Sequence, residues 1–314
     1  MKKFINKVVF FISPLIIIPL LIWPLDKLIL KRNISEFTNN VIILGDSHSE
    51  TGINDKLNVQ LNNISQSSET YFFSYFKLKK IISVNKPSKI ILGFSTHNLT
   101  FFQDEKTYAL NGSDRYKDLY PRYFLSLDLN GFKQINKNSK GDFYSITNLI
   151  LKENIKEILK IKNGYIGEYF DTTKSNLDTV LINKKIKIHF YDIDQKVRRV
   201  SHVQIEYLNK IINLCEEKDI DFYLLNLPVY HKYKKQTPKK FIKVYNDLVS
   251  KLKSNNVNFL DYSSVILPKK YFYDGDHLNS FGAEIITRKL ILDLNLHNEK
   301  ALTNNSLYKK YCTN

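Results

Sequence analysis

Four short apolar runs, VIIL at 41–44, KIILG at 89–93, FYLLNLP at 222–228 and VNFLDY at 257–262, each stop at a breaker or a polar residue. Runs of this length with little alternation read as strands buried on both faces. A weaker strand is expected near Asn62 to Ser65, and helical periodicity occupies about 69–83, HVQIEYLNKIINLCEEK (202–218) and FIKVYNDLVSKLK (241–253). Strand and helix in this rhythm predict an α/β domain: a parallel sheet, right-handed connections and helices on both faces. In open sheets of this kind, ligands and catalytic groups gather at the carboxyl ends of the strands.

The first run continues as VIILGDSHSETGIND (41–55), so Ser47 stands where such a strand meets solvent. It reads as a nucleophile, a turn former or one member of a metal cluster. Near the other end is FYDGDHLNSFGAEIITRKLILDL (272–294), in which Asn279 or Ser280 can cap a helix with Ala283, Ile286, Leu290 and Leu294 on its apolar face. Asp274, Asp276 and His277 therefore fall on a loop just before that helix. A histidine base must reach the nucleophile and be oriented on its other nitrogen by a carboxylate. Asp274 and His277, separated by two residues in a tight loop, can meet side chain to side chain. Asp46 is expected to order the turn around Ser47 through backbone hydrogen bonds. Asp276 is expected to be a solvated loop residue, His48 to pack or bond within its loop, and His189, His202, His231 and His297 to be surface or satisfied core residues.

GDSH after a first strand together with DGDH before a last helix resembles the SGNH (GDSL-like) hydrolase superfamily. The likeness is to its membrane-anchored cell-envelope branch, which includes polysaccharide O-acetylation proteins and the D-alanyl transfer protein of teichoic acid systems. It covers roughly residues 38–100 and 200–295. It implies a flavodoxin-like sheet with Ser47 as nucleophile, His277 as base and Asp274 as its orienting acid, with neither cofactor nor metal. The family's oxyanion donors are the backbone N–H of the serine, a glycine after the second strand and an asparagine after the third. Here the second block reads NISQSSET (63–70), so Ser67 or Ser68 must supply the N–H. The third reads GFSTHNL (93–99), with Ser95 in the literal position, Asn98 the nearest residue of the right type, and His97 also able to point inward.

The chain carries 47 Lys+Arg against 31 Asp+Glu, a net +16, which favours acidic partners. Its lysines are scattered, and no finger, RNP-like or P-loop pattern accompanies them, so nucleic acid is not expected as a partner. The two cysteines, Cys215 and Cys312, make neither a disulfide framework nor a zinc cluster, and Cys215 falls in phase with Leu208, Ile211 and Ile212 of a helix. Residues 8–25, VVFFISPLIIIPLLIWPL, are uncharged and flanked by Lys2, Lys3 and Lys7 before and by Lys27, Lys31 and Arg32 after. That length crosses a bilayer, and no small-x-small cleavage pattern follows. The expected layout is a membrane anchor over 1–33, an α/β domain over 34–298 outside the cell membrane, and a tail over 299–314. A mainly helical insertion at about 101–198, including NLILKENIKEILKI (148–161), would form a lid, a substrate platform or a structural cap.

These readings predict a serine-dependent esterase or acyltransferase acting on O-acyl groups, acetyl above all, of a cell-surface glycan. Transfer would call for a multi-spanning membrane partner to supply acyl groups. Two rivals stand beside it: an inactive glycan-binding or scaffold protein, and a metal-dependent phosphoesterase suggested by Asp46-x-His48. The second rival requires further Gly-Asp and Gly-Asn-His blocks together, and the middle of the chain has no Gly-Asn-His.

Overall fold

The computed structural model describes residues 41–139, 166–255 and 257–296, together with Leu28, Lys31, Ile34 and Lys152. In chain order the elements are β1 (Val41–Leu44), α1 (Ser47–Gly52), β2 (Leu61–Asn63), α2 (Tyr71–Ile82) and β3 (Lys89–Gly93). The insertion follows with α3 (Phe102–Tyr108), α4 (Tyr116–Tyr123), α5 (Leu129–Asn138) and α6 (Thr179–Phe190). The core resumes with α7 (His202–Glu217), β4 (Asp221–Asn226), α8 (His231–Gln236), α9 (Lys239–Ser254), β5 (Asn258–Asp261) and α10 (Ser280–Asp293).

The five strands form one parallel sheet in the order β2-β1-β3-β4-β5, with Ile42 opposite Ile90, Leu92 opposite Leu224 and Leu225 opposite Leu260. This is the flavodoxin-like order, and β1 and β3 flank its switch point. Because successive side chains leave a strand on opposite faces, the apolar runs feed two cores. Ile42, Leu44, Ile90, Leu92 and Leu224 pack with α2, α7 and α9, whereas Val41, Ile43, Ile91 and Leu225 pack with Ile285, Ile286 and Leu290 of α10. Cys215 is buried in the first core, where burial pushes its thiol up to about 12.

The first core is also aromatic. Phe72 meets Phe73, Phe76, Tyr108 and Tyr207 edge to face, Phe73 stacks on Tyr123 at 4.6 Å, and Phe94 stacks on Tyr245 at 4.8 Å. Tyr108 and Tyr123 come from α3 and α4, so the start of the insertion is cemented to α2 by ring contacts.

β2 ends earlier than the sequence suggests, at Asn63. Ile64 still donates to Ile43 O, but the Ser65 N–H turns to the side chain of Asn63, which itself reaches the carbonyls of Ser49 and Ile53. Side-chain bonding of this kind competes with the ladder and closes the strand. Beyond it, buried Lys77 and Glu69 pair at 2.9 Å, and Tyr123 donates to the same carboxylate at 2.7 Å. Lys77 also donates to Ile64 O, so the ion pair fixes the loop that leaves β2.

Of the expected elements, the 8–25 anchor, the 148–161 helix and the 299–314 tail lie outside the described residues. Among the described residues, no helix is long and apolar enough to cross a membrane.

Candidate active site

β1 delivers the chain to Gly45, whose φ of +152° is readily adopted only without a side chain. Asp46 then caps α1 by accepting the His48 N–H at 3.0 Å, which places Ser47 first in that helix. A Cβ added at Gly45 would lie 2.7 Å from Ser49 Oγ. Gly45→Ala is therefore expected to destabilise the domain by about 1–3 kcal/mol and to misplace Ser47. A lowered thermal midpoint together with slower reaction at Ser47 is the expected result.

At the far end of the chain, Asn279 caps α10 through Gly282 N–H at 3.2 Å and anchors the preceding loop by donating to Lys270 O. Asp274 Oδ1 accepts three hydrogen bonds, from the N–H groups of Asp276 (3.1 Å) and His277 (3.0 Å) and from His277 Nδ1 (2.8 Å). That leaves His277 Nε2 to accept from Ser47 Oγ, which lies at 2.7 Å. Sheet topology thus brings together Ser47, His277 and Asp274, residues 230 positions apart in the first pair.

A second set of partners surrounds this chain. Asp276 is a correction to the sequence reading: it is 2% exposed, not solvated, and its Oδ2 accepts from His48 Nε2 at 3.2 Å. Burial opposes ionisation of Asp276, yet His277, His48 and Lys185 hold its carboxyl well below the usual range. Burial likewise works against a charged His277, but the carboxylates of Asp276 and Asp274 outweigh it and raise the imidazole above its ordinary 6.5. His189, from α6, is engaged too: its Nδ1 and the Tyr233 hydroxyl are 2.6 Å apart, and its ring stacks on His97 at 5.2 Å.

Of the three residues expected to line an oxyanion hole, Ser68 has φ +67°, the conformation that favours the glycine which the resemblance expects there. Ser67 instead gives its N–H to Glu50 and its carbonyl to Arg122. Ser95 and Asn98 serve Asp46. Asn98 Nδ2 donates to Asp46 Oδ2 at 2.8 Å, His97 Nε2 donates to the same oxygen at 2.6 Å, and Ser95 Oγ lies 2.6 Å from His97 Nδ1. Burial disfavours a charged Asp46, but His97 and His48 keep it ionised; burial, helped by His48, pushes His97 down to about 4. The Ser47 N–H belongs to the first turn of α1, where no intrahelical acceptor exists.

Two trios, Asp46/His48/His97 and His48/Asp276/His277, bring one donor atom each within 4.8 Å of one another, the approach a metal would need. Each of these residues also takes part in the hydrogen bonds just described.

Lys185 and His189 were not singled out by sequence reasoning as site residues. Their signal was present in Ile182, Ile186 and Phe190, which recur every four residues and bury one face of α6.

A protein-family model matches residues 181–296, a stretch that holds α6 and the Asp274–His277 loop. No curated protein matches the sequence. Among solved structures, the chain is similar to a protein of Bacteroides fragilis described as an acylhydrolase, with 13% identity over 82% of this chain and 87% of that one, TM-score 0.38. It is similar also to a GDSL-like lipase of Bacteroides thetaiotaomicron, with 10% identity over 82% and 88% of the two chains, TM-score 0.39. By its strand order the chain has a flavodoxin-like parallel α/β fold, with a serine at the turn after β1 and an Asp-x-x-His loop before the last helix.

Proposed function

We propose that the protein is a serine ester hydrolase or O-acyltransferase, and that its substrate is an O-acylated, chiefly O-acetylated, cell-surface polysaccharide. The observation that carries the catalytic part is the hydrogen-bonded series Ser47 Oγ, His277 Nε2, His277 Nδ1, Asp274 Oδ1, at 2.7 and 2.8 Å. A hydroxyl so placed gives its proton to the imidazole while attacking an ester carbonyl, and the carboxylate stabilises the imidazolium that forms. The N–H groups of Ser47 and Ser68 are the donors assigned to the tetrahedral oxyanion. Its collapse expels the alcohol, which takes the proton from His277, and leaves the acyl group on Ser47. Water, or a sugar hydroxyl in the transfer reaction, then attacks the acyl-enzyme. Its proton passes through His277 back to Ser47 Oγ.

The envelope setting is supported by the uncharged stretch 8–25 and its basic flanks, which suit a single-span anchor holding the domain close to the outer membrane face. In a transferase, a multi-spanning partner would bring acyl groups across the bilayer, since this chain offers one such stretch.

The test is covalent. The full-length protein exposed to a fluorophosphonate should gain one phosphonyl group, seen by intact mass, with peptide mapping to Ser47; Ser47→Ala should gain none. An unmodified wild type with an intact thermal transition, or equal labelling of Ser47→Ala, would refute the nucleophile. The polymer assignment is checked by loss of O-acetyl signals from isolated envelope glycan on incubation with wild type but not with Ser47→Ala.

A further inference from the structure

The insertion between β3 and α7 reaches into the Asp274–His277 loop at one point. A Cβ on Gly275 would lie 2.8 Å from Ile182 Cγ1, so the absence of a side chain there lets α6 settle directly on the loop. One turn further along α6, Lys185 arrives over two carboxylates. Its Nζ lies 3.3 Å from Asp274 Oδ2, 3.3 Å from Asp276 Oδ1 and 3.4 Å from His277 Nδ1. Asp276 Oδ1 is itself 3.5 Å from His277 Nδ1 and has no hydrogen bond. His277 Nδ1 therefore faces two carboxylates, and only the one at 2.8 Å orients it towards Ser47.

We propose that Lys185 is a positioning residue of the Ser47–His277–Asp274 chain: its ammonium bridges Asp274 and Asp276, fixes which carboxylate holds His277, and offsets their combined negative charge beside the imidazole. The proposal rests on the serine-nucleophile reading above. The polar contacts of Lys185 run to His277, Asp274 and Asp276 and not to Ser47, so it acts through His277. Without it, two carboxylates would compete for one Nδ1–H, and their charge would favour the protonated imidazole, which cannot accept from Ser47.

The groups facing His277 are Asp274 and Asp276 on its own loop, Lys185 on α6, and His48 and Glu50 on α1; behind them His189 on α6 and Tyr233 on α8 face Asp276, and His97 after β3 faces His48 and Asp46. His189 and His97 are held neutral by burial, in the second case at about 4. Among these neighbours Lys185 is the lysine ammonium, 3.4 Å from His277 Nδ1, and its charge makes His277 easier to deprotonate.

The experiment measures the rate of Ser47 phosphonylation by a fluorophosphonate against pH, in full-length wild type, Lys185→Met, Lys185→Gln and Lys185→Arg, each with its thermal midpoint. In wild type the rate should rise with pH as His277 loses its proton. In Lys185→Met and Lys185→Gln the midpoint of that rise should move up by about one pH unit or more, while Lys185→Arg should stay near wild type. An unchanged midpoint in either folded neutral variant would overturn the positioning role. So would an arginine variant as shifted as the neutral ones. Absence of labelling in wild type would instead refute the nucleophile itself, so the two failures are distinct. Lys185 is half-buried at the edge of the site, and two neutral replacements guard against a folding defect in one of them.

Discussion

His277→Ala should slow turnover of an activated acetyl ester by about 10⁴- to 10⁶-fold while leaving the thermal midpoint within a few degrees of wild type. In the proposed mechanism the imidazole supplies both proton transfers, taking the Ser47 proton over 2.7 Å and returning it to the leaving alcohol. No other base is hydrogen-bonded to Ser47 Oγ among the described residues: His48, whose ring lies 5.0 Å from that of His277, is committed through Nε2 to Asp276. Asp274→Asn should be milder, about 10⁴-fold, because the ring remains but its tautomer is no longer enforced. Steady-state kinetics on the three proteins checks the ordering. A His277→Ala enzyme that keeps a tenth of wild-type activity would remove His277 from the mechanism.

The pH dependence follows from the same atom. Only neutral His277 can accept the proton, and its pKa is raised above 6.5, chiefly by Asp276 acting against the effect of burial. Activity should accordingly fall as pH drops, with an acid limb centred above 6.5 in kcat/KM for wild type.

Lys77→Met should destabilise the domain by about 3–5 kcal/mol, the largest stability effect expected of any single substitution described here. Lys77 and Glu69 have side chains 3% and 0% exposed, so removing the ammonium strands a carboxylate inside the first core. Its remaining partners, Ser74 Oγ at 2.7 Å and the Tyr123 hydroxyl at 2.7 Å, are neutral and cannot replace the lost charge. Ile64 O would lose its donor as well, on the loop that leads to Ser68. Denaturant unfolding should show the drop, and the double variant Lys77→Met/Glu69→Leu should recover part of it, since an apolar pair removes the uncompensated charge. A loss under 1 kcal/mol in Lys77→Met would mean that the pair carries little.

The parallel sheet was legible because its strands are nearly pure apolar runs, and buried strands have few other ways to be written. β2 was the weak case: three residues, two of them asparagine, held by side-chain bonds that no periodicity reveals. The Ser47, His277 and Asp274 trio could be named from its motifs, since both lie beside strong elements, β1 and the Asn279 cap of α10. Asp276 was misjudged because a short Asp-Gly-Asp-His loop looks solvated until α6 is laid over it. That covering is a long-range fact: Lys185 stands 92 residues from His277, and nothing local to either one declares the contact. His97 and Asn98 were likewise visible as polar residues after β3, but their attachment to Asp46 depends on β1 and β3 being neighbours.

The aromatic packing between α2 and the start of the insertion has a practical optical consequence. The chain's single tryptophan, Trp23, lies outside the described residues, whereas Tyr71, Tyr108, Tyr120, Tyr123, Tyr207 and Tyr245 are all in the first core. Loss of the sheet should therefore leave its imprint on tyrosine emission and near-ultraviolet dichroism, and a melt followed by tryptophan fluorescence alone would be reading a different part of the molecule.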